Sequence, residues 1–269
     1  MKQQFVNQIK NKLSSNIEDL SRQYHNMDKG TRTKFCVLDN LIDKDSVEKI
    51  YNQFKGDYWI PRKTFREAKK TYANLDTLDP IVANITEAFH DPGVVDIVSE
   101  ITGINGLEFD PSLYAGGISR MDKGDFLNPH LDNSHDAGRN RYRRLNLLFY
   151  VSPDLVESDG GNFELWDDKV KNPVRIPAKF NRLVIMETGN HTWHSVDPVK
   201  TDDKMRCCVS NYYFSKASPL DFEYYHVTSF LGRPNQIFNR VYGRVDNFLR
   251  QSFVQLTGFS RGKEQARKT

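Results

Sequence analysis

The chain has 269 residues, with 38 Lys and Arg against 35 Asp and Glu, three Cys and 38% apolar residues. That length suits one large domain with a sizeable core, and an aromatic content of 12% excludes a disordered chain. A formal net charge of +3 excludes a protein held to nucleic acid by a massed basic surface, and no stretch approaches the roughly 18 apolar residues of a membrane span.

The N-terminal run MKQQFVNQIKNKLSSN lacks the apolar centre of a signal peptide. Phe5, Ile9, Leu13, Ile17 and Leu20 recur at helical spacing, so the first two dozen residues predict one amphipathic helix. Lys34 to Leu38 reads as a short buried strand. A helix follows, capped by Asp43 or Asp45, with Val47, Ile50 and Phe54 as its apolar stripe. Residues 56–76 are polar and read as irregular. A helical pair is expected over about 79–103, broken at Asp91-Pro92-Gly93.

The texture changes near Leu107. From there to Phe214 short apolar runs are separated by Gly, Pro, Asn and Asp. Ala115–Met121, Leu145–Val151, Asn162–Trp166, Val174–Ile176, Arg182–Glu187 and Arg206–Phe214 are strand candidates. Several short strands at this spacing suggest a sandwich or jelly roll. Beyond Arg233-Pro234, Ile237, Val241, Val245, Phe248, Leu249 and Phe253 return to helical spacing. The N- and C-terminal helices are expected to cover the β-core. The tail from Gly262 to Thr269 is polar and expected to fray. Cys36, Cys207 and Cys208 make no disulfide framework, and adjacent Cys207 and Cys208 point to opposite faces of a strand. The chain therefore predicts a soluble, reduced, cytoplasmic protein with neither nucleic acid nor membrane as a partner.

The segment that carries chemistry is Asn128-Pro129-His130-Leu131-Asp132. Residues two apart on a strand share a face, so His130 and Asp132 project together and supply two metal ligands. A third comes from Trp193-His194-Ser195-Val196. Two His and one carboxylate form the facial triad of non-haem Fe(II) oxygenases, with coordination positions left open. Arg206 opens a strand twelve residues after His194. An Arg inside an apolar barrel needs an anionic partner, and its planar fork suits a carboxylate.

The ordered set resembles the 2-oxoglutarate/Fe(II)-dependent dioxygenase superfamily in its prolyl-4-hydroxylase-like branch. The resemblance rests on MDKGDFLNPHLD (Met121–Asp132), LNLLFYV (Leu145–Val151), GGNFELW (Gly160–Trp166), NRLVI (Asn181–Ile185), His194-Ser195-Val196 and Arg206. FCVLDNLI (Phe35–Ile42) is similar to the usual entry into such a domain, so the match covers about residues 35–215.

The fold expected is mainly β with flanking α, a double-stranded β-helix (jelly-roll, cupin-like) core. It is expected as one oxygenase domain over 1–269: a helical part at 1–106, the β-helix at 107–216 and a helical extension at 217–269. The resemblance implies that His130, Asp132 and His194 bind Fe(II) and that Arg206 holds the distal carboxylate of 2-oxoglutarate. Asn146 lies where the family places an inward polar residue near the co-substrate, and Ser210 faces the same way as Arg206. The branch often has Tyr where this chain has Met121. The hydrogen-bond partner of 2-oxoglutarate must then come from elsewhere, with Tyr114 and Ser119 as candidates.

The implied cofactors are Fe(II), 2-oxoglutarate and O2, with ascorbate as a supporting reductant. The implied reaction is hydroxylation of an unactivated C–H bond of a small molecule, releasing succinate and CO2. Asp132 favours hydroxylation over halogenation, since related halogenases have a small residue there. The alternatives are desaturation, cyclisation or demethylation, a prolyl or peptidyl hydroxylase, and a non-catalytic jelly-roll binding module.

Each candidate has a plainer reading. His191 competes with His194 as the third ligand. Arg206 can instead pair with Glu164 or Glu187. Arg139, Arg141, Arg143 and Arg144 read first as a solvated loop and strand start, and otherwise as a cluster steering an anionic substrate. His135 reads as a loop residue, and Trp166 and Trp193 as packing. His25, His90 and His226 have no metal-ligand spacing.

Overall fold

The computed structural model describes residues 1–27, 29–114, 116–220 and 222–257. Ala115 and the tail from Gly262 to Thr269 lie outside the described residues.

The N-terminal apolar pattern forms two helices rather than one. Helix α1 (Lys2–Ser14) buries Phe5, Ile9 and Leu13, and α2 (Ile17–His25) buries Leu20 and Tyr24. The break lies at Ser15 and Asn16. The Ser15 hydroxyl donates to the Asn11 carbonyl at 2.8 Å, and the Asn16 amide to that of Lys12 at 2.8 Å. These side chains satisfy carbonyls that a continuing helix would have used. Strand β1 (Phe35–Asp39) follows, then α3 (Lys44–Gln53), whose cap is Asp43, accepting from the Ser46 N–H at 2.8 Å.

Residues 56–76 are not irregular. They contain a hairpin, β2 (Ile60–Lys63) and β3 (Glu67–Tyr72). Only Ala68 of these ten is buried, so no apolar alternation marks the strands. The ladder to neighbouring β strands holds them instead. Helices α4 (Pro80–Ala88) and α5 (Pro92–Thr102) each open with an Asp cap and Pro in the first turn. Gly103, in the left-handed region at φ 70°, closes α5.

The remaining strands are β4 (Glu108–Phe109), β5 (Gly117–Met121), β6 (Phe126–Leu131), β7 (Tyr142–Tyr150), β8 (Phe163–Trp166), β9 (Pro173–Ile176), β10 (Arg182–Glu187), β11 (His194–Val196), β12 (Arg206–Ser215) and β13 (Ser229–Phe230). They pair antiparallel in the order β1-β10-β7-β12-β5-β3-β6-β11-β8-β9. This one sheet curls so that β7, β10 and β12 face β6, β8 and β11. It is the double-stranded β-helix core with helices on its outside.

Alternation along β7 and β12 separates two cores. Leu145, Leu147 and Phe149 of β7 and Cys207, Val209 and Tyr213 of β12 join the helices in one cluster. Leu148, Tyr150 and Cys208 point the other way, into the curl, with Met121, Phe163, Leu165 and Val196. Cys207 and Cys208 thus face opposite sides, as expected.

The last helix, α6 (Ile237–Thr257), does not cover the core with its apolar stripe. Phe238, Val241, Val245, Phe248 and Leu249 are exposed. The polar face docks instead. Asn247 and Gln251 supply side-chain amides to the backbone of residues 225–230, which lacks another strand partner on that side. Among the described residues, no helix is long and apolar enough to cross a membrane.

Ile9 is fully buried in the cluster that also holds Phe149 and Val209. Ile9→Ala is expected to destabilise by about 2–5 kcal/mol. Urea unfolding followed by both far-UV dichroism and Trp fluorescence should show the same shifted midpoint, because helices and sheet share this core.

Candidate active site

The site is built where β6 lies against β11. The register places His130 directly opposite His194, and slips immediately after. Both imidazoles point into the curl, with ring centroids 4.0 Å apart. Asp132 lies just past the end of β6. His130 Nε2 is 3.7 Å from Asp132 Oδ1, and His194 Nε2 is 3.6 Å from Asp132 Oδ2. One donor atom from each of the three lies within 4.8 Å of the others, the spacing of a metal-binding group.

The two histidines present the same nitrogen. His130 Nδ1 lies 3.0 Å from the Asn128 carbonyl, and His194 Nδ1 lies 2.9 Å from the Thr192 carbonyl. A carbonyl only accepts, so each Nδ1 carries the proton and each Nε2 keeps a lone pair. This is the arrangement that outer hydrogen bonds impose on metal-ligating histidines. Burial, reinforced by His194, pushes the His130 imidazolium down to about 3, so the ring is neutral. Burial acts to raise Asp132, but Arg143, His194, His130 and the Asn146 hydrogen bond together hold it well below the carboxylate range. Two imidazoles and one carboxylate, with no thiolate among them, suit Fe(II).

Asp132 is fixed from behind. Asn146 on β7 donates to its Oδ2 at 2.7 Å, and Arg143 Nη1 lies 3.4 Å from the same oxygen. Oδ1 receives no such donor among the described residues. Asn146 therefore sits beside the Asp132 carboxylate, and its own Oδ1 has no hydrogen-bond partner among the described residues.

Arg206 opens β12 opposite Met121 and is 4% exposed. Its Nε donates to the Gly161 carbonyl at 2.8 Å, its Nη2 lies 3.3 Å from the Tyr150 hydroxyl, and Nη1 has only Met121 Sδ at 3.9 Å. Among the described residues no carboxylate pairs with it. The alternative partners are engaged elsewhere. Glu164 binds Arg233 and Ser195, and Glu187 binds the Lys34 N–H and His191. The paired glycines make this approach possible. A Cβ on Gly161, which has φ +69°, would lie 3.2 Å from Arg206 Cδ, and one on Gly160 would strike the Pro198 carbonyl at 2.1 Å.

Ser210 lies on the Arg206 face of β12, its hydroxyl 3.6 Å from Cys208 Sγ. Tyr114 is buried on the turn before β5, where its phenol feels Arg143, Arg139 and Asp132. His191 is not brought in; it pairs with Glu187 at 3.2 Å outside the triad. Trp166 is buried packing, its indole donating to Ser195 at 2.8 Å.

The basic run departs from the expected solvated loop. Arg141 pairs with Asp136 and Glu108. Arg143, with 1% of its side chain exposed, lies inside against Asp132 and over the Tyr212 ring. The reason is a bulge. Arg144 has no opposite residue on β12, so alternation slips and Arg143 turns to the interior. His135 is buried too, hydrogen-bonded to Ser134 and packed on Tyr142 with the rings tilted by 46°.

Sequence reasoning also missed Tyr150, Phe230 and His226. Tyr150 shares a face with Asn146 four residues earlier, and that parity was the available signal. Burial pushes its phenol well up, so it retains an O–H beside Arg206. Phe230 stacks on His130 at 5.1 Å and 15°. No local pattern marked the two-residue strand that carries it. The His226 imidazole feels both Asp132 and Arg143, and burial lowers its pKa.

Residues 116–214 match the family described as the 2OG-Fe(II) oxygenase superfamily. That stretch holds all three triad residues and Arg206. Residues 116–214 belong to the 2OG-Fe(II) oxygenase superfamily. The oxygenase uses Fe(II), 2-oxoglutarate and O2. Among curated protein sequences none matches the chain.

Solved structures share the fold at low identity. A prolyl 4-hydroxylase from Phytophthora capsici is 20% identical with a TM-score of 0.54, covering 93% of this chain and 77% of its own. A prolyl hydroxylase from Trichoplax adhaerens, in complex with a hypoxia inducible factor peptide fragment, is 16% identical with a TM-score of 0.53, covering 76% and 92%. HygX from Streptomyces hygroscopicus, with nickel, 2-oxoglutarate and hygromycin B bound, is 15% identical with a TM-score of 0.51, covering 76% and 92%.

Asn146→Ala removes the single short hydrogen bond to Asp132 without touching a proposed ligand atom. Fe(II) affinity of the oxygenase, measured by anaerobic equilibrium dialysis, is expected to fall roughly 10- to 100-fold, the usual cost of losing an outer partner.

Proposed function

We propose that this oxygenase hydroxylates an unactivated C–H bond of a small molecule that carries an acidic group. His130, Asp132 and His194 are the Fe(II) ligands, and Arg206 receives the distal carboxylate of 2-oxoglutarate. The observation that carries this reading is Arg206: a buried guanidinium without a carboxylate, in the same interior as a two-His, one-carboxylate cluster. An unpaired buried charge is expensive, and a dicarboxylate co-substrate supplies its counter-ion.

When bound, Fe(II) with 2-oxoglutarate and O2 supplies the oxidising chemistry, releasing succinate and CO2. The chain supplies geometry. Asn146 and Arg143 hold one oxygen of Asp132 and leave the other for the metal. The Asn128 and Thr192 carbonyls fix both imidazoles in the tautomer that binds through Nε2. Tyr150, with its retained O–H, serves the co-substrate where the branch has Tyr and this chain has Met121. Ser210 and Tyr114 complete the co-substrate wall. Phe163 and Leu165 line the interior beside the triad and exclude water from it.

The acidic substrate group follows from unsatisfied atoms. Among the described residues, Arg143 Nε and Nη2 and Arg139 Nη2 are buried donors without a hydrogen-bond partner. Tyr114 feels both guanidiniums and Asp132, so these groups share one neighbourhood beside the metal site. Leaving a buried donor unmatched costs about 1–3 kcal/mol. A carboxylate or phosphate on the substrate would match several at once. The peptide-bound Trichoplax adhaerens hydroxylase and hygromycin-bound HygX illustrate that this fold accepts both substrate kinds. Here the clustered guanidiniums favour a small acid.

The first test is anaerobic. Iron-loaded protein with 2-oxoglutarate should give the visible charge-transfer band of the chelate, and His130→Ala or His194→Ala should abolish it. Arg206→Ala should need roughly 10- to 150-fold more 2-oxoglutarate, from about 1.5–3 kcal/mol for hydrogen bonds to a charged group. A band with unchanged 2-oxoglutarate dependence in Arg206→Ala would remove Arg206 from this role.

Substrate class is tested by succinate release across panels of carboxylated, phosphorylated and neutral metabolites. Arg139→Ala is expected to raise KM for the acidic substrate about tenfold with kcat little changed, since it contributes binding rather than chemistry. Activity confined to neutral compounds, or to peptides, would overturn the acidic-group assignment.

A further inference from the structure

Helix α6 is amphipathic in the wrong sense for a monomer. Its polar face is turned inward. Asn247 makes two hydrogen bonds to the Phe230 backbone, at 2.9 and 2.8 Å, and Gln251 bonds the Val227 N–H and the Tyr225 carbonyl. Asp246 pairs with Arg66 at 2.5 Å, and Arg240 donates to the Val170 carbonyl at 3.0 Å. Gly243 sits at the contact: a Cβ there would lie 2.7 Å from the Phe230 carbonyl. The seating is specific, so the outward direction of the other face is fixed.

That other face is apolar. Phe238 is 90% exposed, Phe248 71%, Val241 61%, Leu249 60%, Tyr242 55% and Val245 53%. They recur at three- and four-residue steps, a continuous seam of the kind that pairs helices. Together they present roughly 700 Å², more than the largest apolar patch of most monomers and close to the ~800 Å² each partner contributes to a stable interface.

We propose that the oxygenase forms a symmetric dimer in which the α6 seams of two copies pack antiparallel about a two-fold axis near Val245. The charge distribution favours a second copy over a lipid surface. A membrane-surface helix sets cationic residues around its apolar face. In α6 Arg240 and Arg250 are only part-exposed and bond inward or along the helix, and Arg244 is the one exposed charged residue of 237–253. A self-pairing seam needs no groove, only its own mate, and the two-fold arrangement satisfies both at once. The dimer also braces the proposed metal site, because α6 grips β13 and β13 carries the Phe230 ring stacked on His130.

The test is the mass of the full chain in solution. Sedimentation velocity at tens of micromolar should give twice the 31.2 kDa chain mass. Phe248→Glu and Val245→Glu should each return the single-chain mass with unchanged far-UV dichroism. Val245→Cys should yield a covalent dimer on mild oxidation, a clean readout since the three native cysteines are buried. A wild-type monomer throughout that range overturns the proposal, as does a dimer that survives both Glu variants. Co-sedimentation of wild-type monomer with phosphatidylserine vesicles would instead assign the seam to a membrane surface.

Discussion

The pairing of His130 with His194 across β6 and β11 is the constraint on which the centre depends. Both strands are short, and β11 has only three residues, so neither holds its histidine alone. The shared register does. It sets the two rings at 4.0 Å, aims both Nε2 atoms the same way and leaves Asp132 at the strand end to close the triangle. The Gly160-Gly161 turn and the buried Glu164, Ser195 and Arg233 network support the far side of the same strands. A slip of one residue in β11 would send His194 to the opposite face.

The interior is unusual in how its charges are matched. Among the described residues Asp132 has several cationic or donor neighbours, while Arg206 has no carboxylate and Arg143 has one carboxylate oxygen, at 3.4 Å. A folded chain keeps few such imbalances. Two buried guanidiniums lacking full partners are what the acidic ligands of the proposed function would match. One reading covers both: a dicarboxylate co-substrate at Arg206 and an acidic substrate by Arg143. The same polar groups that lower stability in the empty fold would then give selectivity when filled.

Much of this was legible in the residues. His130 and Asp132 share a strand face by simple parity, and the order of His194 and Arg206 fixed which strands must meet them. Asp43 was one of two candidate caps for α3, and the break read at Asp91-Pro92-Gly93 is where α4 gives way to α5. What was hidden lay where periodicity fails. The β2–β3 hairpin is largely polar on both faces and held by its ladder and by ion pairs such as Arg62–Glu67 and Lys70–Asp122. Arg143 was misread because a bulge at Arg144 breaks the alternation that would have assigned it. Phe230 and His226 belong to a stretch with almost no regular structure, brought to the site by the short β13–β6 pairing, by Ser134 and by the side-chain amides of α6.

Helix α6 was legible as a helix but not as to which side it would dock. Apolar periodicity names a stripe, and the usual inference is that the stripe faces the core. Here the core edge at β13 offers unpaired backbone groups rather than apolar surface. Leaving those groups without partners costs more than leaving an apolar side chain in water, so Asn247 and Gln251 win the contact and the apolar side turns outward. The orientation of the helix is thus decided by the hydrogen-bond needs of a two-residue strand. That same strand supports the ring behind His130, which ties the outward seam to the proposed metal centre through a chain of contacts only a few residues long.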